Sequence, residues 1–313
     1  MNFWSIIVIV LGLCLFETIS SIDNAIINAQ VLSTMQKKYR RWFLIWGMIF
    51  AVFVVRGLLP WMIVWATNPS LGPLGALTAT FSNNPAVIQA IELSSPILLM
   101  GGGIFLLLLF FHWIFLEGKK FGLMGEMFFF RNGKWFFVLS LVILAVLVSF
   151  TIKINPMIAV GAAVGSVVFF ITYAFKKHAE KTEKNLMKSH ISNISKLVYL
   201  EVLDASFSID GVLGAFAFTL SVPLIILGNG LGAFVVRQFT VSNISSIEKY
   251  IYLKNGAMYS IFFLGIIMIL HGFGFDAPAW LCPIVTFAVV GYFFYKSKKH
   301  IRMNGLKGLK RNN

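Results

Sequence analysis

Long apolar runs separated by short polar stretches dominate the chain. Most runs are about 17 to 30 residues long, which is the length that an α-helix needs to cross the hydrocarbon core of a bilayer. They occupy residues 3–35, 42–66, 86–116, 134–152, 156–175, 197–220, 222–241, 256–272 and 277–295. The pattern predicts an all-α, polytopic membrane protein with about nine transmembrane helices.

Eight charged residues lie inside these predicted spans, leaving aside Lys134 at the first position of the fourth span, which is counted with the preceding loop. They are Glu17, Asp23, Arg56, Glu92, Glu201, Asp204, Asp210 and Arg237. Each charge at the middle of a bilayer costs on the order of 2.5–3.5 kcal/mol, so eight unpaired charges would cost roughly 20 kcal/mol. We therefore expect them to face one another, water or a bound ion. Their formal sum is −4, which protons or divalent cations can neutralise.

Two charged patterns occur twice along the chain. The first is an acid followed four residues later by Ser-Ile-Asp and then by Asn or Gly. Its copies are Glu17…Ser21-Ile22-Asp23-Asn24 and Asp204…Ser208-Ile209-Asp210-Gly211. The second pattern, Phe-Val-Val-Arg, ends at Arg56 and again at Arg237. Two matches in the same order, both built on charged residues, indicate an internal repeat.

The two copies are predicted to cross the membrane in opposite directions, because four spans lie between the spans that begin them. Inverted repeats with discontinuous helices near the midplane are typical of secondary transporters, which place the ion or substrate site between the repeats. The predicted organisation is a first repeat (1–133, spans 1–3), linking spans 4–5 with a cytoplasmic loop (134–196), a second repeat (197–295, spans 6–9) and a basic cytoplasmic tail (296–313).

The basic residues predict the orientation. Of 26 Lys and Arg residues, 23 fall on one side of the nine-span arrangement, and Lys153 alone lies in a loop on the other side. Cytoplasmic loops collect Lys and Arg, so we expect a multi-pass protein of the plasma membrane with the N-terminus outside and the C-terminus in the cytoplasm.

Composition agrees with a membrane protein. Apolar residues make up 58% of the chain and charged residues 12%, whereas a soluble domain has roughly 45–50% and about 25%. The net charge of +14 therefore reflects membrane topology, and we expect lipids rather than nucleic acid as partners. The basic tail can also contact anionic lipid headgroups, and the oligomeric state does not follow from the sequence.

The repeated motif has the chemistry of a hard-cation site. Carboxylates, the Asn24 amide and the hydroxyls of Ser21 and Ser208 are oxygen ligands, which suit Mn²⁺, Mg²⁺ or Ca²⁺ rather than Zn²⁺ or Cu⁺. Glu17 and Asp23 are six residues apart and point about 120° away from each other on a regular helix. We therefore predict unwinding near Ser-Ile-Asp-Asn or near Ser-Ile-Asp-Gly, which would aim the acids at one ion and free backbone carbonyls. The cation is a transported substrate, and no resident cofactor is expected.

Several charged residues have a second interpretation. Arg56 and Arg237 either lock the two halves together or act as charge partners in gating. Glu92 either reaches the outer interface or belongs to an external vestibule. Glu201 either is a solvated acid at the cytoplasmic end or supports the ion pathway there.

At these residues the chain resembles the TerC family of integral membrane proteins, named for tellurium resistance, and within it a branch known as a domain of unknown function. The resemblance covers most of residues 10–295. It implies metal-ion homeostasis, with manganese export in several members, and makes Asp23 and Asp210 the main ion ligands with Glu17, Asn24 and Asp204 beside them. The chain departs from the usual pattern at Gly211, where a serine is frequent, and in carrying Glu92.

The resulting expectation is a Mn²⁺ exporter that works by alternating access and exchanges protons at the intramembrane carboxylates. One alternative is a transporter of another solute or of protons alone. A second is a non-transporting membrane stress or scaffold protein that binds a partner through 176–196 and the tail. An enzyme is not expected, because the sequence has no His-Glu-x-x-His, Gly-x-Ser-x-Gly or phosphate-binding motif.

Overall fold

The structure, a computed structural model, describes residues 3–79, 85–118, 122–186, 192–242 and 249–311. Within these ranges the regular structure is helical and there is no strand. The α-helices are α1 Phe3–Ser20, α2 Ile22–Ser33, α3 Lys37–Trp42, α4 Leu59–Thr67, α5 Gly72–Thr78, α6 Pro85–Leu116, α7 Met124–Arg131, α8 Trp135–Ile154, α9 Pro156–Leu186, α10 Asn193–Ala215, α11 Val222–Ser242, α12 Leu253–Gly272 and α13 Leu281–Arg311. Two π-helical segments, Phe43–Gly47 and Phe50–Leu58, lie between α3 and α4, and a 3₁₀ turn, Pro69–Leu71, follows α4.

The fold is that of a membrane-embedded protein, and the predicted all-α class is confirmed. Six helical stretches among the described residues are long and apolar enough to cross a bilayer. They are Phe3–Ser20, Lys37–Thr67, Pro85–Leu116, Trp135–Ile154, Pro156–His178 and Leu253–Gly272. The helix α11 adds a shorter apolar stretch, Val222–Gln238. The helices α10 and α13 are not among these six stretches, because their charged residues make them less apolar. The count of nine spans therefore stays a prediction.

Helix boundaries differ from the predicted runs in several places. The run 3–35 forms two helices that meet at Ser21. The basic segment 37–41, predicted as a loop, is helical and begins the second span. The helix α13 continues from its apolar part to Arg311, so the basic residues from 296 onward extend a helix rather than form a separate tail. Lys and Arg have good helix propensity, so a change from apolar to basic residues ends the membrane-embedded part without ending the helix.

Close helix packing at small residues holds the bundle together. The helix α6 packs between α9 and α12, and α1 packs along α11. A Cβ at Gly165 would lie 2.0 Å from the Gly101 carbonyl oxygen, and one at Gly228 would lie 2.5 Å from the Leu13 Cβ. Side chains are not tolerated at these contacts, because the backbones approach too closely.

The helices that carry the two charged patterns meet across the predicted repeats. The helix α1 packs on α11, and α10 packs on the π-helical segment Phe50–Leu58. The first helix of each predicted repeat therefore contacts the second span of the other. This arrangement brings residues about 180 positions apart in sequence into one buried site.

Candidate functional site: a buried charge cluster

Five charged residues from four helical segments form one buried group, which we call the charge cluster. Its members are Glu17 of α1, Arg56 of the segment Phe50–Leu58, Glu201 and Asp204 of α10, and Arg237 of α11. They account for five of the eight charges predicted inside the membrane. Three carboxylates and two guanidinium groups give the cluster a formal charge of −1.

Glu17 and Arg56 form the tightest ion pair of the charge cluster. The Arg56 Nη2 lies 2.6 Å from Glu17 Oε1, and Arg56 Nε donates to the same oxygen at 3.0 Å. The Ser21 hydroxyl donates to Oε1 as well, at 2.7 Å. Both charged side chains are almost fully inaccessible. Charge-assisted hydrogen bonds of this length are the strong ones, so Glu17 is held firmly.

Asp204 is shared between the two arginines. Its Oδ2 lies 3.5 Å from Arg56 Nη1 and 3.4 Å from Arg237 Nη2. Its Oδ1 accepts a hydrogen bond from the Asn24 amide at 3.1 Å. Asp204 is thus the bridge between the first predicted repeat, which supplies Arg56 and Asn24, and the second, which supplies Arg237.

Arg237 is anchored on the π-helical part of the second span. Its Nη1 donates to the Phe43 carbonyl, and its guanidinium lies 4.2 Å from the centre of the Phe43 ring. Its Nη2 is 3.5 Å from Glu201 Oε2. Arg56 also donates to a carbonyl of this span, that of Ala51, at 3.2 Å. A π-helix departs from the i→i−4 pattern, and such segments often occur at functional sites.

Equivalent residues of the two predicted repeats make reciprocal contacts. Asn24 and Gly211 occupy the same position of the repeated motif. Asn24 contacts Asp204 of the other repeat, and Gly211 faces Glu17 of the other repeat, since a Cβ at Gly211 would lie 2.4 Å from Glu17 Oε2. Glu17 and Asp204 are themselves the equivalent acids of the motif. The charge cluster therefore has an approximate two-fold arrangement.

A small cavity with room for about one water-sized occupant adjoins the charge cluster. Its lining includes Ser21, Asn24, Asn28, Arg56, Asp204, Arg237 and Thr240. Several buried oxygens of this region have no hydrogen-bond partner, namely Glu17 Oε2, Asn24 Oδ1, Asn28 Oδ1 and both carboxylate oxygens of Glu201. Buried oxygens without a hydrogen-bond partner are uncommon, and a water molecule or an ion at the site is one way to satisfy them.

The helix α10 does not unwind at its Ser-Ile-Asp segment, and this prediction is wrong. The helix continues through 208–211 to Ala215, and the Ser208 hydroxyl donates to the Asp204 carbonyl of the same helix at 2.6 Å. In the first copy the helix breaks only at Ser21, whose backbone N–H still donates to the Glu17 carbonyl at 3.1 Å. Backbone groups inside a membrane must be paired, which favours a continuous helix where no other donor or acceptor is near.

Asp210 lies apart from the charge cluster. Because α10 stays regular, its carboxylate faces α9, where Oδ2 forms an ion pair with Lys176 Nζ. Its Oδ1 is buried without a hydrogen-bond partner. Lys176 was predicted as part of a cytoplasmic loop, but it lies within α9 and is largely buried.

The remaining predicted residues are not brought into the charge cluster. Asp23 lies in α2, but its side chain is outside the described residues. Glu92 is exposed on α6. Among the side chains that the structure describes, no group of three or more His, Cys, Asp or Glu residues is placed to hold a metal ion. In this conformation Glu17 is paired with Arg56, and Asp204 with both Arg56 and Arg237.

Sequence reasoning missed some polar residues that are buried. Asn28 is one helical turn from Asn24, and this i, i+4 spacing was a usable signal. Glu126 of α7 is buried and accepts hydrogen bonds from the Asn255 amide at 2.9 Å on both carboxylate oxygens. No sequence signal marks this contact, because α7 is short and lies outside the predicted spans.

The fold and the site define a class: an all-α membrane-embedded protein with a buried charge cluster formed by α1, α10, α11 and the π-helical segment Phe50–Leu58. A family model described as "Protein of unknown function (DUF475)" matches residues 22–304, and the chain belongs to that family. No curated protein and no solved structure matches the chain.

Proposed function

We propose that the protein is a membrane transporter of a divalent cation, most specifically a Mn²⁺ exporter that exchanges the metal for protons at intramembrane carboxylates. The observation that carries the proposal is the buried charge cluster. It is net negative, and it adjoins a cavity whose lining includes oxygen atoms that can ligate a metal ion. The resemblance of the repeated motifs to the TerC family supports the choice of Mn²⁺.

The donor set supports a hard cation. Carboxylate oxygens of Glu17 and Asp204 and amide oxygens of Asn24 and Asn28 are the ligands that Mn²⁺ and Mg²⁺ accept readily. In the described conformation Arg56 and Arg237 occupy the carboxylates. An incoming cation would displace these guanidinium groups from Asp204 before it displaced Arg56 from Glu17, because the contacts of the arginines to Asp204 are longer than the Arg56 contact to Glu17.

The reciprocal contacts support alternating access. A site built from equivalent residues of two repeats can open to either side when one repeat rocks against the other. Asp204 and Arg56 join the two repeats, so a change in their pairing changes the contact between the halves. The orientation that we propose places the N-terminus outside and the C-terminus in the cytoplasm, on the basis of the Lys and Arg distribution.

The test is flux through the purified protein in proteoliposomes. Mn²⁺ movement driven by a pH gradient is followed with a metal-sensitive dye inside the vesicles. We expect Asp204→Asn, Asp23→Asn and Asp210→Asn each to lower the initial rate at least tenfold, because each removes a carboxylate charge while keeping the side-chain shape. Asp276→Asn is the matched control, since Asp276 is fully exposed in the loop before α13.

Undiminished Mn²⁺ flux in all three variants would overturn the proposal. A pH-driven proton flux that needs no metal and is lost in Asp204→Asn would favour the second candidate, a transporter of protons or of another solute. That candidate is favoured by one observation: the described side chains include no group of three or more His, Cys, Asp or Glu residues placed to hold a metal ion. The same vesicles, loaded with a pH-sensitive dye, separate the two functions.

A further inference from the structure

The ion pair between Asp210 and Lys176 is a buried charge pair that lies apart from the charge cluster. Both side chains are largely enclosed, at 14% and 15% exposure. Asp210 comes from α10, whereas Lys176 comes from α9, which lies outside both predicted repeats. A single charge in such a place is costly, so each partner makes the other tolerable.

The pairing leaves Asp210 incompletely coordinated. Lys176 contacts Oδ2, while Oδ1 is buried and has no hydrogen-bond partner. A lysine ammonium is a point charge on a flexible four-carbon stem, and it covers one oxygen where an arginine fork covers two. A buried carboxylate that has one oxygen without a hydrogen-bond partner, beside a cation on a flexible stem, is suited to exchange that cation for another.

We propose that the Lys176 ammonium competes with the transported metal ion for Asp210 and so sets the affinity of Asp210 for that ion. The proposal rests on the proposed transport function. An ammonium on one oxygen of a carboxylate repels a divalent ion on the other, and does so more strongly in a medium of low dielectric constant, so the Lys176 charge opposes metal binding at Asp210. We therefore expect the Lys176 side chain to move aside when a metal ion binds there.

The partner of Asp210 comes from outside both predicted repeats. Asp210 is the motif equivalent of Asp23, and Lys176 is supplied to it by the linking span α9. Lys176 is thus a specificity-determining residue at Asp210.

The test is Mn²⁺ titration of the full-length protein in lipid nanodiscs by calorimetry. We expect Lys176→Met, which keeps the stem and removes the charge, to bind Mn²⁺ at least tenfold more tightly than the unmodified protein. Lys176→Arg should bind at least threefold more weakly, because the guanidinium can cover both Asp210 oxygens. Lys177→Met is the matched control, since Lys177 is the exposed neighbour, and it should bind as the unmodified protein does.

Equal Mn²⁺ affinities for Lys176→Met, Lys176→Arg and the unmodified protein would overturn this inference while leaving the transport proposal intact. A gain in Lys176→Met that persists when Asp210→Asn is added would overturn it too, because the competition would then not be at Asp210. If Lys176→Met does not fold, the weaker Mn²⁺ binding expected for Lys176→Arg tests the inference, and unchanged binding by Lys176→Arg would overturn it. Absence of Mn²⁺ binding and of Mn²⁺ flux in every protein, including the unmodified one, would reject both proposals together.

Discussion

Removal of Arg56 should destabilise the protein more than any exposed charge substitution. At an effective dielectric constant of about 20, its attraction to Glu17 at 2.6 Å amounts to about 6 kcal/mol, and its attraction to Asp204 at 3.5 Å to about 5 kcal/mol. Desolvation of the buried ions offsets much of this attraction. Loss of one partner of a buried pair leaves a net cost of about 3–5 kcal/mol, because the other charge stays buried and unpaired.

The measurement is the free energy of unfolding of Arg56→Met in mixed micelles, with Arg302→Met as the matched control. Arg302 is exposed on α13, so its replacement should change the free energy by less than about 0.5 kcal/mol. Adding Glu17→Gln to Arg56→Met should recover part of the loss, because the uncompensated carboxylate is then removed.

Two results would refute the reasoning. One is a cost for Arg56→Met no larger than that for Arg302→Met, which would mean that the ion pair contributes nothing to the fold. The other is a double variant whose cost equals the sum of the two single costs, because contacting residues should be coupled in a double-mutant cycle. Either result would mean that the charge cluster does not stabilise the packing of the four helical segments that carry it.

Two further predictions concern the packing and the orientation of the chain. Gly211→Ala should cost about 1–3 kcal/mol of stability, since its Cβ would lie 2.4 Å from Glu17 Oε2. Gly291→Ala has nothing within 4 Å of its Cβ and should stabilise the helix by up to about 1 kcal/mol. Thermal unfolding measures both, and a Gly211→Ala variant more stable than Gly291→Ala would contradict this prediction. In a cysteine-free background, Asp276→Cys should react with a membrane-impermeant maleimide in intact cells and Lys299→Cys should not, and the opposite pattern would invert the proposed orientation.

The helical class and the existence of a buried charge group follow from the sequence alone. Apolar runs of bilayer length can form only helices or barrel strands in a membrane, and the runs are too long for strands. Glu17, Asp204, Arg56 and Arg237 are recognisable because charges of both signs inside spans must find partners. The interpretation of the arginines as links between the two halves agrees with Arg56, which contacts an acid of each predicted repeat.

The details that the sequence does not predict depend on contacts across the bundle. The π-helical geometry at Phe43–Gly47 coincides with the Arg237 contact to the Phe43 carbonyl, and no local residue pattern announces it. Lys176 looks like a loop residue, because a run of basic residues follows it, yet its long stem lets it reach Asp210 from within α9. Gly211 looked like a helix breaker, but in α10 it provides space for the Glu17 carboxylate without ending the helix.

The two equivalent acids of the charge cluster are held with unequal strength, and this inequality has a structural origin. Glu17 receives contacts of 2.6 to 3.0 Å from Arg56 and Ser21, whereas the arginines approach Asp204 only to 3.4 and 3.5 Å. Asn24 supplies Asp204 with a neutral donor where Gly211 supplies Glu17 with none. Weaker pairing to charged donors makes Asp204 the carboxylate that exchanges its partner at the lower cost. We therefore expect Glu17 and Arg56 to stay paired and Asp204 to change its partner if a cation binds, as proposed.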